Sequence, residues 1–166
     1  MIAFRPGCWS PKALDFIANS TAKLCIAHGS VRSGKTVCRT VRWLRCVAEG
    51  PPGALAMPGK DRNALQRNVL DDLMDLAGPA DCRWASRVAG ELELFGRRAW
   101  AIGASSEEAE RKLRGATFAG AYCDEASAYP EGVWLQLMAR LSVRGAQVFA
   151  NCNPETPAHW FHRGGP

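Results

Sequence analysis

Residues 29–36 read Gly29-Ser30-Val31-Arg32-Ser33-Gly34-Lys35-Thr36, and the meaning of this stretch decides the fold. It fits the pattern G-x-x-x-x-G-K-[ST], with Gly29, Gly34, Lys35 and Thr36 in the specified places. Glycines let the backbone curl so that successive N–H groups, here from Gly29 through Thr36, face inward around phosphate oxygens. A helix opening near Gly34 adds the positive end of its dipole. Lys35 brings a charge to the β- and γ-phosphates of ATP, and the Thr36 hydroxyl suits Mg²⁺. Average residue usage puts the bare pattern by accident in roughly one chain in a few hundred of this length. The flanks argue against accident. KLCIAHG ahead of the loop reads as a brief buried strand from Lys23 to His28, and TVCRTVRWLRCVAEG behind it has helical spacing. Arg32 is an additional cation with two open readings, a contact to the γ-phosphate in cis or a side chain in solvent.

Working outward, Ser10 and Pro11 predict the start of a short helix over PKALDFIANS. In the helix after the loop, Val37, Val41, Leu44 and Val47 lie on one side and Arg39, Arg42 and Arg45 on another. That arginine side is read as a solvated or intersubunit face in preference to a DNA contact. GALAMPG is a candidate strand, followed by a longer amphipathic helix over KDRNALQRNVLDDLMDLAG that Gly78-Pro79 ends. CRWASRVAGELELFGRRAWAIGA reads as a β-meander with turns at Ala89-Gly90 and Gly96-Arg97. SSEEAERKLRG is a short polar helix or loop, FAGAYCDEAS holds a strand, a helix follows Pro130, AQVFANCNP is a final strand, and HWFHR begins another helix. Alternating strands and helices around one meander predict an α/β domain with a largely parallel sheet.

A phosphate loop alone does not hydrolyse anything. The chemistry needs a second strand ending in a carboxylate for the metal and a base that orients water. GAYCDEAS offers both at one strand end: Asp124 for Mg²⁺, directly or through a water, and Glu125 for the attacking water. The run before them is thin in bulk, because Ala119, Gly120 and Ala121 are small. The plainer alternative is an acidic turn capping residues 127–130. The third strand ends in NCNP, where an amide from Asn151 or Asn153 can feel the γ-phosphate or the water; an Asx-turn before Pro154 is the other reading.

Composition is ordinary for a globular protein, with 47% hydrophobic and 22% charged residues over 166 residues, enough for one domain. The formal charge of +5 is uneven: residues 1–70 carry 11 Lys and Arg against 3 Asp and Glu, residues 71–166 carry 10 against 13. A basic half suggests a polyanionic partner or an uneven solvated surface. The seven cysteines, at 8, 25, 38, 46, 82, 123 and 152, are odd in number and lack zinc spacing. With no signal-peptide core and no long apolar run, the expectation is a cytoplasmic protein without membrane contact.

Phosphate loop, Asp-Glu strand and NCNP strand, in that order, resemble the ATPase domain of a tailed-phage terminase large subunit. WSPKALDFI, HGSVRSGKT, RNVLDDL, KLRGATFAGAYCDEAS and NCNPETPAHWFHR carry the likeness across nearly the whole chain. The resemblance implies a P-loop NTPase of the additional-strand, RecA-like type over residues 1–166. It implies an ATP hydrolase that moves double-stranded DNA into a procapsid from the host cytoplasm, as a homo-oligomeric ring on a portal, with a terminase small subunit as partner. It also implies an arginine lent by one subunit to its neighbour's site; Arg114 in KLRG is the candidate and Arg111 the runner-up. A glutamine often found near the SPK segment is missing, since Ala13 follows Lys12, so no adenine-selecting residue is named. Family members usually continue into a nuclease domain; no such domain is expected here, and so no DNA cutting. A RecA-like helicase, or an assembly module that binds nucleotide and turns it over slowly alone, are the alternatives.

Overall fold

The computed structural model describes residues 10–28, 35–105 and 107–152, with the side chains of residues 28, 35, 36, 107 and 108 outside that description. Ser10 caps helix α1 (Pro11–Asn19): its side chain accepts from the Ala13 N–H at 3.2 Å, and proline fills the first helical position, where no N–H is needed. Strand β1 (Leu24–His28) and helix α2 (Lys35–Glu49) flank the loop residues 29–34, which lie outside the described part. Strand β2 (Ala54–Gly59) leads to α3 (Arg62–Leu65), a π-helical turn at Gln66–Leu70 and α4 (Asp71–Ala77). Three antiparallel strands follow, β3 (Cys82–Ser86), β4 (Glu91–Leu94) and β5 (Arg97–Gly103). Helix α5 (Glu107–Arg114), strand β6 (Phe118–Cys123), helix α6 (Glu131–Arg140) and strand β7 (Gln147–Cys152) complete the order.

The strands form one seven-stranded sheet in the order β1-β7-β6-β2-β5-β4-β3. β1, β7, β6, β2 and β5 run parallel, and β4 and β3 extend the sheet as the expected meander. The predicted additional-strand arrangement is present, because β7 sits between the loop-bearing β1 and β6. Period-two alternation sends β-strand side chains to two covered faces. Leu55, Met57, Tyr122 and Phe149 meet α2, the π turn and α4 on one face; Ala56, Ile102, Val148 and Ala150 meet α5 and α6 on the other.

Four expectations change. The strand before the loop is not buried: β1 is an edge strand with one neighbour, β7, and Ile26 is 38% exposed. The arginine side of α2 is not a solvated face. Arg39 and Arg42 are buried, and only Arg45 lies outside, bonded to Glu49 at 2.9 Å. The reason is that α2 packs on the sheet and also against α1 and α4, so burial runs through residues 39–44 and takes in both apolar and arginine positions, while Val37 stays exposed. The long helix after β2 is broken by the π turn, whose wider spacing keeps Leu65, Val69, Leu70 and Leu73 all inside. The second meander turn falls one residue earlier than expected, at Phe95-Gly96, where both residues have positive φ (49° and 71°) as a tight hairpin turn requires.

Candidate active site

The parallel strands all end at one edge. Ala27 pairs with Asn151, His28 with Cys152, and Cys123 with Ala150, so the ends of β1, β7 and β6 lie side by side there. Ligands of open α/β sheets bind outside this edge. The head of α2 starts from it, with Lys35 and Thr36 as its first residues. Gly29, Ser30, Val31, Arg32, Ser33 and Gly34 lie outside the described residues, as does Asn153.

Asp124 follows β6 directly and is 5% exposed. Its backbone N–H donates to Pro58 O at 2.9 Å, and the Tyr129 hydroxyl lies 2.6 Å from Pro58 O and 2.8 Å from Asp124 O. One hydroxyl proton is shared between two carbonyls that end β2 and β6, which locks these strand ends together. Burial pushes the Tyr129 hydroxyl well above the ordinary tyrosine range, so it remains a neutral donor.

The Asp124 carboxylate is gripped on one side. Oδ1 accepts from Asn151 Nδ2 at 2.9 Å and lies 3.5 Å from Arg39 Nη2. No described residue donates to Oδ2. The same Arg39 nitrogen donates to the Tyr122 hydroxyl at 2.7 Å, and Thr40 Oγ1 is 3.2 Å from that hydroxyl. Burial pushes Tyr122 up, against the pull of Arg39, and burial likewise raises the Cys123 thiol, which leaves Cys123 an inert small hydrophobe.

Asn151 works with both ends of its amide. While Nδ2 donates to Asp124, Oδ1 accepts the Glu125 backbone N–H at 2.5 Å. Glu125 takes a left-handed conformation, φ 53° and ψ 50°, and the chain then turns through a short 3₁₀ segment, Ala126–Ala128. Left-handed backbone in a non-glycine residue costs energy and persists only where its surroundings impose it. The predicted acid pair and Asn151 are therefore brought together. Arg114, by contrast, ends α5 on the surface, 69% exposed, with Nη2 2.8 Å from Glu110 Oε2.

Sequence reasoning missed Arg39, Tyr122 and Tyr129. A spacing could have found Tyr122, which is two residues before Asp124 and so on the same face of an alternating strand; Arg39 carries no such signal, since its partners lie 83 and 85 residues away.

Among the described residues, no three His, Cys, Asp or Glu side chains gather as a metal cage. Mg²⁺ does not need one, because it takes one or two carboxylates with phosphate oxygens and waters. A carboxylate held at one oxygen, with no donor to the other among the described residues, fits that demand. A cavity of about 490 Å³ bordered by Thr21, Lys23, Arg144 and Gln147 lies at the opposite edge, where β1 and β7 begin, and takes no part in this arrangement. No helix among the described residues is long and apolar enough to cross a membrane.

The crystal structure of a large terminase from a thermophilic bacteriophage is similar to this chain, with a TM-score of 0.80 and 28% identity over 93% of this chain and 41% of that one. The same phage protein in complex with ADP gives 0.78 and 28% over the same shares. The chain thus spans about two fifths of the length of that terminase. The large terminase ATPase domain of Thermus phage P74-26 gives 0.67 at 21% identity, over 91% of this chain and 66% of that one, a likeness of fold alone. No curated protein sequence matches. The family model described as "Terminase large subunit, T4likevirus-type, N-terminal" matches residues 26–164, from within β1 to two residues short of the last. The resemblance read from the loop, the acid pair and the third strand is therefore correct, and the chain belongs to the family of T4-like terminase large subunits, of which it covers the N-terminal part.

Proposed function

We propose that this chain is the ATP-hydrolysing motor of a phage terminase, turning over Mg·ATP at the C-terminal edge of its sheet to drive double-stranded DNA into a procapsid. The observation that carries the reading is the turn after β6. There Asp124 and Glu125 stand at the strand end, tied by the Asn151 amide, on the same edge as the end of β1 and the head of α2.

The backbone N–H groups of residues 29–34 and the Lys35 ammonium hold the triphosphate. Thr36 and Asp124 hold Mg²⁺, which when bound neutralises charge on the phosphate oxygens. Glu125 orients a water and takes its proton as the water oxygen attacks the γ-phosphorus and the bond to ADP breaks. Asn151 holds Glu125 in place and reports on the γ-phosphate; Asn153 is the second amide at this strand end. Arg32 is a second cation of the loop for the phosphates. Arg114, exposed on α5, reaches the neighbouring subunit's site in a ring on the portal, to which a small terminase subunit brings DNA in the host cytoplasm.

The test is Mg·ATP turnover by the unaltered chain beside Lys35→Ala and Glu125→Gln. Lys35→Ala should lose nucleotide binding. Glu125→Gln should bind as before and hydrolyse about 100-fold more slowly or worse. Turnover at the normal rate by Glu125→Gln would remove Glu125 from its role.

A further inference from the structure

Arg39 is among the largest fully buried side chains, at 1% exposure, yet only one of its three nitrogens has a hydrogen-bond partner among the described residues. Nη2 serves both the Tyr122 hydroxyl, at 2.7 Å, and Asp124 Oδ1, at 3.5 Å, while Nε and Nη1 are buried without one. The guanidinium carbon lies 4.5 Å from the centre of the Tyr122 ring, an attraction that offsets part of the desolvation. A buried ion pair is a poor way to gain stability, since apolar residues of similar volume do as well or better in its place. Its position points elsewhere. Arg39 sits one turn into α2, bonded to Tyr122 two residues back along β6, and lies 3.5 Å from the oxygen that Asn151 also holds.

We propose that Arg39 is a positioning residue, the internal counter-ion of Asp124, which holds Oδ1 from within the fold so that Oδ2 stays presented to a divalent metal at the strand edge. Groups that bond to a metal's ligand set the ligand's orientation, and losing one lowers metal affinity about 10-fold to 100-fold. The contact also joins the helix that starts at Lys35 to the residue that follows β6 directly. The inference rests on the reading of Asp124 as a metal ligand, and the experiment separates the two.

ADP binding to the full chain is measured by calorimetry with Mg²⁺ and again with EDTA, and the ratio of the two affinities gives the metal's contribution. In Arg39→Met that ratio should fall about 10-fold, with binding in EDTA little changed. In an Asp124→Asn background the same substitution should leave the ratio where Asp124→Asn already put it. Arg39→Lys, which restores a cation, should recover part of the loss, and circular dichroism shows whether each variant is folded. An unchanged ratio in folded Arg39→Met, an equal further loss in the Asp124→Asn background, or a lysine variant as weak as the methionine one overturns the counter-ion role. If Asp124→Asn binds Mg·ADP as the unaltered chain does, the metal reading of Asp124 fails, and the inference goes with it.

Discussion

Glu125 sits at φ 53° with a backbone N–H that Asn151 Oδ1 accepts at 2.5 Å, so one amide helps to hold the proposed base in its left-handed conformation. A left-handed non-glycine residue carries a penalty of about 1 kcal/mol or more. Glu125→Gly should therefore raise the free energy of unfolding by about 1 kcal/mol while abolishing ATP turnover; urea denaturation and a phosphate-release assay read the two effects, and a loss of stability would contradict the strain. Asn151→Ala acts in the opposite sense. It strips a partner from both the Glu125 N–H and Asp124 Oδ1, which should cost about 1–3 kcal/mol and slow hydrolysis. Asp124, Glu125 and Asn151 are legible in the sequence because acids and amides at the end of an apolar strand have few structural reasons to be there. Arg39 is not. Arginine is most often a surface residue, and only its neighbours across 83 and 85 residues of chain show why this one is inside.

At the scale of elements, β6 shows why a thin strand belongs in this core. Gly120 leaves room for Trp43 of α2, whose ring is fully buried and lies 6.1 Å from both Tyr122 and Phe149, while Ala121 turns to the face covered by α5 and α6. A Cβ on Gly120 would come 3.1 Å from Trp43 Cζ3 and 3.3 Å from Cη2. Hemmed by two other rings, the indole has no room to retreat, so Gly120→Ala should destabilise the domain by about 1–3 kcal/mol, seen as a lower Tm. A neutral or stabilising outcome would mean that α2 can slide on the sheet. The pattern of strands and helices is readable from local spacing, including the Ser10 cap and the stop at Gly78. The π turn, the edge position of β1 and the inward arginines of α2 are not, because each is set by what packs alongside. Arg42 illustrates the point: it donates to Ser20 O at 2.6 Å and Gln147 Oε1 at 3.0 Å, joining α2 to the segment after α1 and to β7.

For the whole molecule, the same burial changes the meaning of charge. Residues 1–70 hold the basic excess, but two of its arginines are internal, so α2 offers no basic stripe to DNA. The α5 surface, with Arg114 exposed and joined to Glu110 by a contact of little strength, suits an exchange of partners between subunits. If the site is completed by a neighbour, specific ATPase activity should rise with protein concentration and with added duplex DNA; a flat, substantial rate at every concentration would favour a self-sufficient site. Mixing gives the sharper version. A Lys35→Ala subunit cannot hold nucleotide but still carries Arg114, whereas an Arg114→Ala subunit holds nucleotide but lends nothing. Each should be nearly inactive alone. Combined, an Arg114→Ala subunit beside a Lys35→Ala neighbour regains both parts of one site, so activity should reappear in the mixture and peak at intermediate ratios. A mixture no more active than its components would show that Arg114 serves its own subunit or none, and the trans assignment would then be lost while the acid pair and its Asn151 tie stand unaffected.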